Sequence, residues 1–151
     1  MKSDYKKLIG IFSAFLVILI SYALYNNLNS INEACFRDKV CFNVETADSR
    51  DEIIKGLSER QSLEDKAGMI FIFQKETIPD FWMNGMHFPI DIIWINKEKI
   101  VTEIERDLKP CLMQGCLIFS PDQSIKYVLE INSNSSLKYN ISEGDTVDLL
   151  N

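Results

Sequence analysis

Ile90-Asp91-Ile92-Ile93-Trp94-Ile95-Asn96-Lys97-Glu98-Lys99-Ile100-Val101-Thr102-Glu103-Ile104-Glu105-Arg106 reads as two strands joined by a turn. Its first half is apolar except for Asp91, and Lys97-Glu98-Lys99 supplies the polar turn. In the second half Val101, Glu103 and Glu105 alternate with Ile100, Thr102 and Ile104, the pattern of a strand with one wet face and one dry face. Toward the N-terminus, Gly68 precedes the unbroken apolar run Met69-Ile70-Phe71-Ile72-Phe73, which has strand length and is too short for an independent helix. Phe81-Trp82-Met83 follows Pro79, and residues 40–46 set Phe42 and Val44 against Asn43 and Glu45. Toward the C-terminus, residues 117–119, 126–132 and 146–150 bring the expected total to seven or eight short strands. Ser49-Arg50-Asp51-Glu52 has the spacing of a capping box and predicts a helix through about Glu59, with Ile53, Ile54 and Leu57 on its apolar face. Many short strands and one short helix predict a mainly β domain, a β-sandwich or barrel rather than βαβ units.

The chain has 151 residues and is 46% apolar, but those residues are unevenly placed. Residues 8–25 contain no charge, and 15 of these 18 positions are apolar. Eighteen helical residues span roughly 27 Å, close to the hydrocarbon thickness of a bilayer. Lys2, Lys6 and Lys7 precede the run and favour a cytoplasmic N-terminus, with Tyr22 and Tyr25 near the outer interface. A buried core helix would show a polar face, and this one offers only Ser13 and Ser21. A cleaved signal peptide competes through Ser21-Tyr22-Ala23, although Leu24 and Tyr25 continue the run beyond it. The expected plan is therefore a cytoplasmic stretch at 1–7, a transmembrane anchor or signal segment at 8–25 and a polar linker at 26–34. An extracytoplasmic β domain at 35–151 completes it. The net charge of −6 becomes −8 when residues 1–25 are set aside, and no basic stripe is present, which disfavours nucleic acid as a partner.

All four cysteines follow the apolar run. Cys35 and Cys41 lie six positions apart, and Cys111 and Cys116 five apart. In the expected topology they face an oxidising space, and local pairing is the simplest of three connectivities. Buried free thiols would be the alternative in a cytosolic chain. Neither pair has zinc-site or C-x-x-C spacing.

His87 is the only histidine, which excludes a two-histidine metal site. The nucleophile elbow, the phosphate-binding loop and the dinucleotide fingerprint are absent, and no cofactor is implied. Met83, Met86 and His87 beside Trp82 form one candidate set, since thioethers and an imidazole suit Cu(I). The ordinary reading of such methionines is core packing.

The ordered set of short motifs along residues 42–149 resembles a bacterial and archaeal family of small exported or membrane-anchored proteins, domain-of-unknown-function family one-nine-two. The resemblance rests on Val44-Glu45 with Ala47, Gly56-Leu57 followed by Arg60, Gly68-Met69 with Phe71, and Phe81-Trp82-Met83 with Pro89-Ile90-Asp91. Pro110-Cys111, Cys116, Tyr127-Val128-Leu129-Glu130 and Gly144-Asp145 complete it. The chain departs from the family pattern at Ser58, where methionine is usual, and at Asn84-Gly85-Met86, where lysine-asparagine-threonine is usual. A third departure is Asn134, where a glycine is expected. The resemblance implies a jelly-roll-like β-sandwich and no established activity.

Asp91 and Glu130 lie inside apolar strands, and a buried carboxylate without a partner costs several kcal/mol. One expectation is an internal ion pair of Arg60 with Asp91 or Glu45. The other is a polar cleft made by Arg60, Asp91 and Glu130 with Trp82 as its apolar wall. The sequence thus predicts a binding or accessory module of the cell envelope, with a polar ligand or an envelope protein as partner. An envelope-glycan enzyme using Asp91 and Glu130 is the alternative, because paired carboxylates are what glycoside cleavage requires.

Overall fold

The computed structural model describes residues 11–13, 15–21, 30–111 and 115–151. It divides into an N-terminal unit and a compact unit spanning Ile31–Leu150. In the N-terminal unit, residues 11–13 and 15–21 are helical. Their large apolar side chains, among them Ile11, Phe12, Phe15 and Ile18, are exposed. The rest of the expected 8–25 span, the cytoplasmic stretch 1–7 and linker residues 26–29 lie outside the described residues. Among the described residues, no helix is long and apolar enough to cross a membrane.

The compact unit is mainly β. Its strands are β1 (Glu33–Phe36), β2 (Val40–Ala47), β3 (Ala67–Thr77), β4 (Phe81–Trp82), β5 (Ile90–Ile95), β6 (Val101–Leu108), β7 (Ile118–Phe119), β8 (Ile125–Asn132) and β9 (Val147–Leu150). Seven of them form one sheet in the order β6-β5-β8-β3-β2-β1-β9, and β4 pairs with β7 in a small separate ribbon. The large sheet curls until its two margins meet. Val101 N–H donates to Asp145 O and Val147 N–H donates to Lys99 O, both at 2.9 Å. A single curled sheet, open along most of its length and bridged at one point of its margins, thus stands where a sandwich was one of two expected forms.

Two local expectations are corrected. The linker was expected to run to Ala34, yet Glu33 and Ala34 begin β1, which pairs with β2 on one side and β9 on the other. Polar residues 26–34 gave no strand signal because β1 is short and takes its stability from both neighbours. The structure also contains one βαβ crossover: β2 and β3 are parallel, joined through helix α1 (Arg50–Lys55). Parallel neighbours require such a crossover.

Helix α1 begins as its sequence predicts. Ser49 Oγ accepts from Glu52 N–H, and Glu52 Oε2 accepts from Ser49 N–H at 3.0 Å. It stops at Lys55, short of Glu59, because Gly56 turns to φ 48°. The expected alternation of β6 also fails. Val101, Ile104 and Leu108 are its buried residues, because bulges shift the β5–β6 register twice.

Strands β3, β5 and β8 are buried on both faces, which is why residues 69–73 read as a continuous apolar run and residues 90–95 as one broken only by Asp91. The inner face carries Phe42, Ile70, Ile93, Ile95, Leu129 and Ile131. The outer face carries Met69, Phe71, Ile92, Trp94 and Val128, covered by Leu57, Phe81, Met83 and Met86. At Gly68 a Cβ would lie 2.8 Å from the Glu130 carbonyl oxygen, so only glycine allows β3 to approach β8 this closely.

Candidate ligand pocket

Between the end of α1, the outer face of β3 and residues 79–86 lies a pocket of about 130 Å³. Phe71, Phe73 and Phe81 make its aromatic walls, with Trp82 alongside. Ile54, Ser58 and Asn84 also line it, and Glu130 closes it from β8. Phe71 and Phe81 pack edge to face with centroids 5.1 Å apart, and Phe81 packs likewise on buried Trp94 at 5.3 Å. Trp82 is 51% exposed and Ile54 63% exposed, so the pocket is edged by uncovered apolar surface.

Glu130 is 6% exposed and sits opposite Met69 on β3 and Ile92 on β5, within the outer apolar layer. Its Oε2 is buried and has no hydrogen-bond partner among the described residues. Burial pushes its carboxyl up to about 8, with the Arg60 guanidinium opposing the shift. The group therefore holds its proton at neutral pH. Trp94 Nε1 is also buried without a partner among the described residues, but Trp94 does not line the pocket.

Arg60 realises one of its two expected pairings. Its guanidinium donates in a fork to Glu45 on β2, at 2.5 and 2.8 Å. The hydrogen bond holds the Glu45 carboxyl below its ordinary value and raises Arg60. Glu45 is 60% exposed, so this is a surface pair that ties the turn after α1 to the sheet.

Asp91 lies elsewhere. It pairs in register with Ile131 while its neighbour Ile92 pairs with Glu130, so Asp91 and Glu130 project from opposite faces of the same two strands. Asp91 Oδ1 accepts from Asp107 N–H and Asn134 N–H, both at 2.9 Å. Its Oδ2 accepts from Ser136 N–H at 2.9 Å and from Ser136 Oγ–H at 2.7 Å. Two of these donors sit in left-handed backbone, Asp107 at φ 55° and Asn134 at φ 63°. Asn134 thus occupies a conformation that glycine takes freely and asparagine tolerates, which accounts for that departure from the family pattern. Asp91 therefore belongs to the interior and to the turn into helix α2 (Ser135–Lys138). It neither pairs with Arg60 nor faces Glu130 across a cleft, and the two carboxylates cannot flank one glycosidic bond.

The proposed copper set is not assembled either. Met83 and Met86 are packed in the outer apolar layer, whereas His87 is exposed. Among the described residues, no group of three or more His, Cys, Asp and Glu is placed to hold a metal ion.

Both local disulfides form, Cys35–Cys41 and Cys111–Cys116. The first spans facing positions of the β1–β2 hairpin. The second stands beside the pocket: Cys111 N–H donates to Met83 O at 3.2 Å, and Cys111 bridges to Asn84. A shallower groove lined by Trp82, Asn84, Gly115, Cys116 and Ile118 adjoins the pocket through Trp82 and Asn84. Sequence reasoning placed Trp82 and Glu130 together but missed Phe71, Phe73 and Phe81 as walls, since wall and core aromatics look alike in a sequence. Three positions that depart from the family pattern, Ser58, Asn84 and Met86, all line the pocket.

Solved structures that share the fold include the following two. One is a protein of unknown function from Novosphingobium aromaticivorans, 28% identical, with a TM-score of 0.72 over 78% of this chain and 84% of that one. The other is a candidate transcription regulator from Sinorhizobium meliloti, 22% identical, with a TM-score of 0.69 over 78% of this chain and 90% of that one. At that identity the likeness speaks for the fold alone. No curated protein matches the chain. The DUF192 family profile, described as uncharacterized ACR, matches residues 33–149, which takes in the curled sheet, both disulfides and every pocket wall: the chain belongs to that family.

Proposed function

We propose that the domain is a non-catalytic binding module, held at the outer face of a membrane by residues 8–25, whose ligand enters the pocket above Glu130. The unpartnered Oε2 of Glu130 carries the reading. A buried carboxyl oxygen that no protein group satisfies costs stability, and a ligand able to bond it would recover that cost. The uncovered apolar edge at Ile54 and Trp82 supports the same reading, since a pocket that binds keeps its entrance clear of its own chain. Isotope-labelled full chain, screened by NMR against fragments of up to about eight heavy atoms, is expected to show shifts at the Met86 methyl and the Trp82 indole. The Trp94 indole should stay still. A screen in which no fragment moves Met86 or Trp82 sinks the proposal.

The membrane placement is supported by the exposed apolar side chains of the described helical residues 11–13 and 15–21, which need a nonpolar partner. The two disulfides support an oxidising compartment. Fractionated cells should hold the full chain in the membrane pellet with no cysteine open to alkylation. A soluble chain with alkylated thiols would overturn this placement and leave the pocket reading untouched.

A further inference from the structure

We infer that the group seated in this pocket is a small alkylammonium head, bonded to Glu130 Oε2 and enclosed by the rings of Phe71, Phe73, Phe81 and Trp82; the inference rests on the reading of the pocket as a ligand site. Three observations converge on a cation. Among the described residues, the buried side-chain oxygen without a partner that lines the pocket is a carboxyl oxygen of Glu130, which in its ionised form can only accept. The walls are aromatic, and ring quadrupoles attract a desolvated cation. The charge bordering the pocket is not set to receive an anion. Arg60 is engaged by Glu45, Lys55 and Asp80 line the pocket with one charge of each sign, and the ionised form of Glu130 that a cation stabilises would repel a second carboxylate or a phosphate.

Size limits the head group. A cavity of about 150 Å³ holds benzene, so 130 Å³ takes about four to six heavy atoms. The rest of a longer ligand would leave over Trp82 and Asn84 into the groove beside Ile118. A neutral alcohol of the same shape could bond Glu130 but would gain nothing from the rings beyond contact.

Binding is then coupled to a proton. The carboxyl enters the reaction protonated at neutral pH, and the incoming ammonium stabilises the ionised form, so its proton leaves to solvent as the ion pair forms. The charge acting on it is that of Arg60 from the turn after α1, while Lys55 from α1 and Asp80 from the segment before β4 line the same pocket. The cross-strand neighbours Met69 and Ile92 are apolar. Affinity for the cation should rise as pH rises toward 8 and level off above it.

The test is a fluorescence titration of the full chain with n-butylammonium, 1-butanol and butanoate, repeated for Glu130→Gln and for Ser58→Trp, which fills the pocket. Butylammonium is expected to bind at least about tenfold more tightly than butanol at pH 8, and to lose about tenfold or more in Glu130→Gln. Between pH 6 and pH 7.5 its affinity should climb by nearly tenfold per unit. Ser58→Trp should abolish binding of every probe. Equal or tighter binding of butanol or butanoate, or full affinity in Glu130→Gln, overturns the cation while leaving the pocket as a binding site. Silence of all three probes in the unaltered chain overturns both.

Discussion

Asp91 and Glu130 occupy adjacent cross-strand positions on β5 and β8, yet their circumstances are opposite. Asp91 is fully buried on the inner face and accepts four hydrogen bonds, two of them from left-handed backbone that it holds in place. Glu130 is nearly as buried on the outer face, where Oε2 accepts none among the described residues. Burial alone therefore does not mark a functional acid. The difference lies in whether the protein supplies the donors: it does so for Asp91, and among the described residues it does not for Oε2 of Glu130.

The comparison can be broken by removing either acid. Asp91→Ala would strand four donors around Asp107, Asn134 and Ser136, and should cost about 3–5 kcal/mol in urea unfolding. If it cost less than the Glu130→Gln change at pH 7, the contrast between the two faces would fail.

Glu130 has the opposite pH signature from a paired carboxylate. The folded chain holds this proton up to about 8, whereas an unfolded chain releases it near the ordinary value of 4.5. Between those limits the folded state binds more protons, so stability falls as pH rises and levels off above 8. The loss from pH 5 to pH 8 should be about 3–4 kcal/mol at most, and Glu130→Gln should flatten that part of the profile. Melting curves of the two proteins across this range supply the check, and parallel profiles would count against a protonated Glu130.

A smaller change sharpens the contrast. Glu45→Gln leaves Arg60 without its ionic partner and should cost less than about 1 kcal/mol, because the pair is exposed. The freed guanidinium would favour the ionised form of Glu130 more strongly. The midpoint of the pH-dependent loss should then move downward, a shift that a purely local stability effect would not produce.

Strand identity was legible where burial leaves a pattern. The apolar runs at 69–73 and 90–95, the turn at Lys97-Glu98-Lys99 and the Ser49–Glu52 capping box all correspond to observed elements. Strand β1 and helix α2 were not legible, because four residues of mixed polarity carry no period. The site was legible in part for a related reason. Trp82 and Glu130 could be singled out by residue type, but which face Asp91 occupies depends on a cross-strand register that a single residue of slip would invert. The bulges in β6 show how little sequence warning such slips give.

The junction of the sheet margins at Ile100 and Thr146 has a consequence for crowding. Strand β9 is short, and β6 carries Glu103, Glu105, Arg106 and Asp107 along the length that the junction leaves uncovered. Neighbouring copies packed side by side would find little continuous backbone to zip onto, and charge where they tried.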